Sequence, residues 1–166
     1  VLPKETLQVI NNDVMPKQDL APIDRVTNTF SFGPIVSELY SPLPSKGIMS
    51  ADVAIPSEGM ILSFGVNPKA LGDAALNIVF NKQKNQVYFF NQPLKNIANI
   101  KPETWIDMPL GTKVEFTVAF ENDIAVFYIN NRKAFTTRMY GMPGKPWALS
   151  LPSGDKFETT LSVKQM

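Results

Sequence analysis

The sequence predicts an all-β fold, an antiparallel two-sheet β-sandwich of the jelly-roll, concanavalin-like type, and three observations carry that prediction. Apolar and polar residues alternate with a period of two in one segment after another, the pattern of strands with one buried face. Turn-forming residues recur about every 8 to 12 positions, the spacing of short antiparallel strands rather than of strand–helix–strand units. No helical periodicity extends beyond a single turn. The 166 residues suit one domain, assigned to residues 1–166. At that length roughly 70% of the unfolded chain's surface can be buried without help from a disulfide or a metal. The 14 Pro and 9 Gly are spread over the chain, and no segment has the composition of a linker.

In the first third, Pro3, Pro16, Pro22, Pro34, Pro42, Pro44 and Pro56 exclude long helices, because proline lacks the N–H that an inner turn donates. Residues 27–32 and 35–40 read as short strands on either side of Gly33-Pro34. Met49, Ala51, Val53 and Ile55 then alternate with Ile48, Ser50, Asp52 and Ala54, which predicts a strand over 47–55. Residues 60–66 form a second apolar run, closed by Asn67-Pro68 and a Gly72-Asp73 turn signal. Leu76, Ile78 and Phe80 alternate through 74–81, and 86–90 returns after the polar Lys82-Gln83-Lys84-Asn85, as in a hairpin.

Residues 94–111, interrupted by Pro102 and Pro109, read as a long connection holding one short turn of helix. The strongest β signal follows, with Val114, Phe116, Val118 and Phe120 set against Glu115, Thr117, Ala119 and Glu121. Asn122-Asp123 tolerates the positive φ of a hairpin turn, and 124–130 is the returning strand. Ile124, Val126 and Tyr128 share one face of it, which is read as the buried face. Residues 130–133 turn into a strand over 134–139; 147–151 is another, in which Trp147 is read as core; and Ser153-Gly154-Asp155 leads into a last strand over 156–164.

Composition removes most chemistries. With no His and no Cys, the chain cannot build a Ser-His-Asp triad, a Cys nucleophile, a zinc site of Cys and His, or an imidazole acid–base pair. The absence of Cys leaves the redox compartment open. The 16 basic and 15 acidic residues are interspersed, giving a net charge of +1 and no cluster with which to bind nucleic acid. No apolar run reaches the length of a spanning helix, so no membrane partner is expected. The opening Val1-Leu2-Pro3 reads as a processed chain or an excised piece. Neither a Gly-rich phosphate loop nor an Asp-x-Asp-x-Asp-Gly calcium loop is present, so no cofactor and no metal are predicted.

Paired carboxylates could still hydrolyse a glycoside, provided they stand about 5 to 10 Å apart. Glu115 and Glu121 share a face of one strand, six residues apart. At about 3.4 Å per residue that is roughly 20 Å, too far for either mechanism, and they are read as solvated. Glu121-Asn122-Asp123 supplies the first two acids of the Glu-x-Asp-x-x-Glu signature of lectin-like β-glucanases, but Val126 stands at the third. Glu103 and Asp107 flank Trp105, an aromatic between acids of the kind a sugar site uses. No catalytic residue is assigned.

A sugar is held by an aromatic ring under its apolar face, with amides, carboxylates or guanidinium on its hydroxyls. By that criterion the candidate carbohydrate-binding residues are Trp105, Phe90, Asn91, Gln92, Asp107 and Arg138. Phe89 and Phe90 face opposite ways, which offers one of them as an exposed platform followed by Asn91 and Gln92.

Residues 124–140, reading Ile-Ala-Val-Phe-Tyr-Ile-Asn-Asn-Arg-Lys-Ala-Phe-Thr-Thr-Arg-Met-Tyr, resemble the C-terminal β-sandwich of glycoside hydrolase family 32, the invertases, levanases and inulinases. Val126, Phe127, Asn130, Thr136, Thr137, Arg138 and Tyr140 match that family's pattern. Ala125 stands where Glu is usual and Arg132 where Gly is common. Leu2-Pro3-Lys4-Glu5 is similar to the Leu-Pro-Arg-Glu that joins the family's catalytic propeller to the sandwich. The family's catalytic motifs belong to that propeller and are absent here. The resemblance therefore implies a non-catalytic accessory domain that packs on a propeller, contacts carbohydrate, and works in a secreted, periplasmic or cell-surface protein. The alternatives are a stand-alone, lectin-like carbohydrate-binding module and a lectin-fold glycosidase acting on a polysaccharide.

Overall fold

The alternation of residues 113–121 places one row of side chains inside and one outside, and the neighbouring strands inherit that choice through their registers. The computed structural model describes residues 8–10, 18–19, 35–40, 42–43, 45–55, 59–67, 70–91, 104–121, 123–138, 144–152 and 159–165. Among these residues there is no helix, and thirteen strands form: β1 (Gln8–Ile10), β2 (Gln18–Asp19), β3 (Ile35–Tyr40), β4 (Lys46–Ala54), β5 (Met60–Asn67), β6 (Ala70–Asn81), β7 (Gln86–Phe90), β8 (Thr104–Asp107), β9 (Lys113–Glu121), β10 (Ile124–Ile129), β11 (Arg132–Arg138), β12 (Trp147–Pro152) and β13 (Thr159–Gln165). They make two sheets, a six-stranded one in the order β1-β13-β4-β9-β10-β11 and a seven-stranded one in the order β2-β3-β12-β5-β6-β7-β8. Every pairing is antiparallel. The predicted all-β sandwich is the observed one.

The core lies between the sheets. From the six-stranded sheet come Met49, Ala51 and Val53 of β4, Val114, Phe116, Val118 and Phe120 of β9, and Ala125, Phe127 and Ile129 of β10. The seven-stranded sheet contributes Met60, Leu62 and Phe64, Leu76, Ile78 and Phe80, Val87 and Phe89, and Trp147 and Leu149. The rings interlock across the gap: Phe64 lies 5.5 Å from Phe127, and Phe89 stacks on Phe135 at 4.4 Å.

The two sheets differ in what their other faces do. Alternate residues of β9 return to solvent, and Glu115 and Glu121 are exposed. On β5 to β7 and β12 the outward residues Ile61, Ser63, Asn77, Val79, Tyr88, Phe90, Ala148 and Ser150 are buried as well. A strand covered on both sides has no reason to alternate, and Met60-Ile61-Leu62-Ser63-Phe64 and Val87-Tyr88-Phe89-Phe90 are near-continuous apolar runs. The polar groups on this hidden face are paired, Ser63 Oγ donating to Asn77 Oδ1 at 2.7 Å.

Four sequence expectations about the strands change. The Gly72-Asp73 turn signal lies inside β6, which begins at Ala70. Residues 104–107, read as part of a long connection, form strand β8 against β7; the rest of the predicted connection up to residue 103 lies outside the described residues, as does the strand expected over 27–32. The turn read over 130–133 is tighter, because Asn130 and Asn131 both take positive φ (49° and 63°) and Ile129 pairs with Arg132. That is the two-residue hairpin geometry whose twist matches the strands it joins. Asn130 fastens it to β9, donating its N–H to Glu115 O at 2.7 Å and accepting from Glu115 N through Oδ1 at 3.0 Å. Finally, Ile124, Val126 and Tyr128 face out, Tyr128 being 36% exposed. Both faces of β10 are apolar, so its own pattern cannot choose. The register with β9 decides, setting Phe127 opposite the buried Val118 and Tyr128 opposite Thr117.

Phe127 and Tyr128, adjacent on β10, therefore respond oppositely to truncation. Phe127→Ala is expected to destabilise by about 3–5 kcal/mol and Tyr128→Ser by no more than about 1 kcal/mol, read as a shift of the urea midpoint at constant m-value. Comparable losses from both would contradict the assigned faces.

Candidate functional site

The hidden face of the seven-stranded sheet reaches solvent at its edge strand. In the β7–β8 register, Gln86 stands opposite Asp107, Val87 opposite Ile106, Tyr88 opposite Trp105 and Phe89 opposite Thr104. Ile106 packs against the core, so by strand alternation Trp105 and Asp107 point away from it. Trp105 is 50% exposed and Asp107 is exposed, whereas Tyr88, in register beside Trp105, is 6% exposed. Trp105 thus presents to solvent an apolar ring face with a polar N–H at its edge.

A hydrogen-bonded chain runs along the same face. Tyr88 Oη donates to Gln86 Oε1, and Gln86 Nε2 donates to Asp107 Oδ1 at 3.1 Å. The turn before β7 holds the far side. Asn85 takes a φ of 51°, its carbonyl accepts from Met108 N at 2.8 Å and its side-chain Oδ1 accepts from Leu110 N at 2.9 Å. Met108 and Leu110 are buried in the core, so the backbone leaving Asp107 is anchored on two sides. A ring with polar acceptors fixed beside it can stack one face of a ligand while taking hydrogen bonds from its edge.

Of the residues predicted from sequence, Trp105 and Asp107 are brought together, two residues apart on one face of β8. Phe90 is a correction: it is 0% exposed, packed 6.5 Å from the Tyr88 ring on the face that is buried throughout β5 to β7, so it is no platform. Asn91 is exposed past the end of β7, three residues from Tyr88 and so roughly 10 Å along the strand. Arg138 ends β11, in the other sheet, opposite Ile124. Gln92 and Glu103 lie outside the described residues. Gln86 and Asn85 were not foreseen, and only the β7–β8 register reveals them.

Glu115 and Glu121 stand on the exposed face of an inner strand, Glu121 paired with Lys46 at 3.6 Å. The acids that the fold does bring side by side are Asp52 and Glu115, partners across β4 and β9. Both are exposed, and dividing two carboxyls into an acid and a base takes environments that differ in burial. Among the described residues no group of three or more His, Cys, Asp or Glu could hold a metal ion.

The fold is similar to that of the carbohydrate-binding module CBM66 from Bacillus subtilis, with a TM-score of 0.55 at 15% identity over 96% of this chain and 91% of that one. It is also similar to a toad ovary galectin solved with N-acetylgalactose (TM-score 0.54, 13% identity, 75% of this chain and 96% of that one). Sheep galectin-11, solved with glycerol, gives 0.51 at 13% identity, over 74% and 96%. At these identities the likeness is one of fold. No protein family matches the sequence, and no curated protein matches it.

The chain has two tryptophans, Trp147 at 1% exposure and Trp105 at 50%, and this makes the site visible in solution. Acrylamide is expected to quench one component of the emission efficiently. Trp105→Phe should remove that component and leave a blue-shifted, poorly quenched spectrum from Trp147. A variant still readily quenched would show that Trp105 is not the open indole.

Proposed function

We propose that this chain is a carbohydrate-binding β-sandwich module acting without catalysis of its own, and that its ligand lies on Trp105 at the rim of the seven-stranded sheet. The observation that carries the reading is the half-exposed Trp105 with Asp107 beside it on β8 and Gln86 across from Asp107 on β7. The indole supplies the surface under a sugar ring, and the carboxylate and amide take its hydroxyls. Support comes also from the fold neighbours, one a carbohydrate-binding module and others galectins solved with galactose-type ligands. The reading places the protein where polysaccharide is found, outside the cell, in the periplasm or at the cell surface.

A second reading is an accessory sandwich packed on a catalytic propeller. What favours it is the resemblance over residues 124–140, together with the outward Ile124 and Tyr128 of the same hairpin. Against it, Phe127 and Asn130, which match the family's pattern, have roles in this fold that any sandwich hairpin needs: one is core and the other forms the turn. The module reading rests on a formed site, and we favour it.

Affinity electrophoresis through gels containing levan, inulin, xylan or galactan tests the module reading. The wild-type chain is expected to be retarded by at least one of them. Trp105→Ala should weaken that retardation by about 10-fold or more, equivalent to about 1.4 kcal/mol, with the thermal unfolding midpoint unchanged. Equal retardation of both proteins would sink the assignment of Trp105.

A further inference from the structure

The hydrogen bonds already made at the rim determine what kind of ligand edge it can still accept. Tyr88 spends its only O–H on Gln86 Oε1, and Gln86 spends one N–H on Asp107 Oδ1. What is left over is mostly acceptor capacity. A carboxylate offers about four lone-pair sites and no proton, so Asp107 keeps roughly three free, with further lone pairs on Tyr88 Oη and Gln86 Oε1 against two neutral N–H donors, one left on Gln86 and the indole Nε1–H of Trp105. Among the described residues Asp107 has no ion-pair partner, the one salt bridge being Lys46–Glu121 on the other sheet. Of the two lysines in the adjoining turn, Lys82 turns its ammonium to Ile55 O at 3.4 Å and Lys84 is exposed. Among the described strands β8 is the last of its sheet, which puts Asp107 at an edge.

We infer that the rim selects neutral, hydroxyl-rich saccharides and rejects uronic acids and other anionic glycans, with Asp107 as the residue that discriminates. The inference rests on the carbohydrate-binding reading. Hydroxyls donate into the row of acceptors, and the strongest of these bonds go to the charged oxygen. A ligand carboxylate or sulfate on the same ring brings a second negative charge to within a few ångströms of Asp107 while donating nothing. The free N–H of Gln86 and the indole N–H of Trp105 are both neutral, so neither offsets the charge on Asp107. The selection is electrostatic and so strongest at low ionic strength, where the Debye length exceeds about 10 Å.

The experiment compares one neutral polysaccharide, the best retained of levan, inulin, xylan and galactan, with its own carboxymethylated derivative, at about 10 mM salt. Wild type is expected to bind the carboxymethylated form about 10-fold or more weakly. Asp107→Asn keeps the shape and one acceptor but removes the charge. It should bind the neutral form several-fold more weakly than wild type and bring the two forms to within about 2-fold of each other. Equal wild-type binding of both forms overturns the inference while leaving the binding module standing. Unchanged discrimination in Asp107→Asn overturns the role of Asp107. Retention on no polysaccharide at all overturns the module reading and this inference with it.

Discussion

One continuous row of aromatic contacts holds the two sheets in a single arrangement. Tyr40 of β3 stacks on Trp147 of β12 at 4.2 Å, Trp147 lies 5.9 Å from Phe64 of β5, and Phe64 crosses the gap to Phe127 of β10. Phe127 neighbours Phe135 of β11, which crosses back to Phe89 of β7. Rings at these separations gain from both area burial and ring–ring electrostatics. Slipping any of these strands by one residue would turn its ring outward. The registers of β3, β12, β5 and β7 in one sheet, and of β10 and β11 in the other, are thus tied to each other.

The candidate site at the rim depends on that row. Phe89 is locked inward by Phe135, so its neighbours Tyr88 and Phe90 must face the other way, and Gln86 follows Tyr88 by the same alternation. Pairing then gives β8 no freedom. Once Val87 lies opposite Ile106, Trp105 stands beside Tyr88 and Asp107 beside Gln86. Trp105 contributes little to the core, yet its position is determined by residues that do.

Legibility in the sequence followed the physics of burial. Where a strand has one wet face, as on β4 and β9, alternation gave its span and its orientation together. Residues 86–90, an apolar run without alternation, show the span of β7 but not that both of its faces are covered, and so they cannot tell that Phe90 is buried. β10 is apolar on both faces, and only its neighbour's register orients Tyr128. The four residues of β8 are too few to show a period, and Pro102 and Pro109 on either side argued for a connection. The aromatic and the acid of the candidate site are visible as Trp105 and Asp107, because an aromatic flanked by acids is a pattern within five consecutive residues. Their partners Gln86 and Tyr88 lie some twenty positions away and are joined to them by strand pairing, which no local pattern encodes.

An edge strand offers unpaired N–H and C=O groups to any passing strand, and proteins blunt such edges with charge or by covering them. β8 is an edge, it is only four residues long, and Asp107 near its end carries a charge. The same features that protect the edge also suit it to a saccharide. Its backbone offers only a short row of unpaired groups, and beside it stands side-chain chemistry: an indole face, a carboxylate and an amide. The outer face of β5 to β7 is largely buried, and its row of residues reaches water at β8.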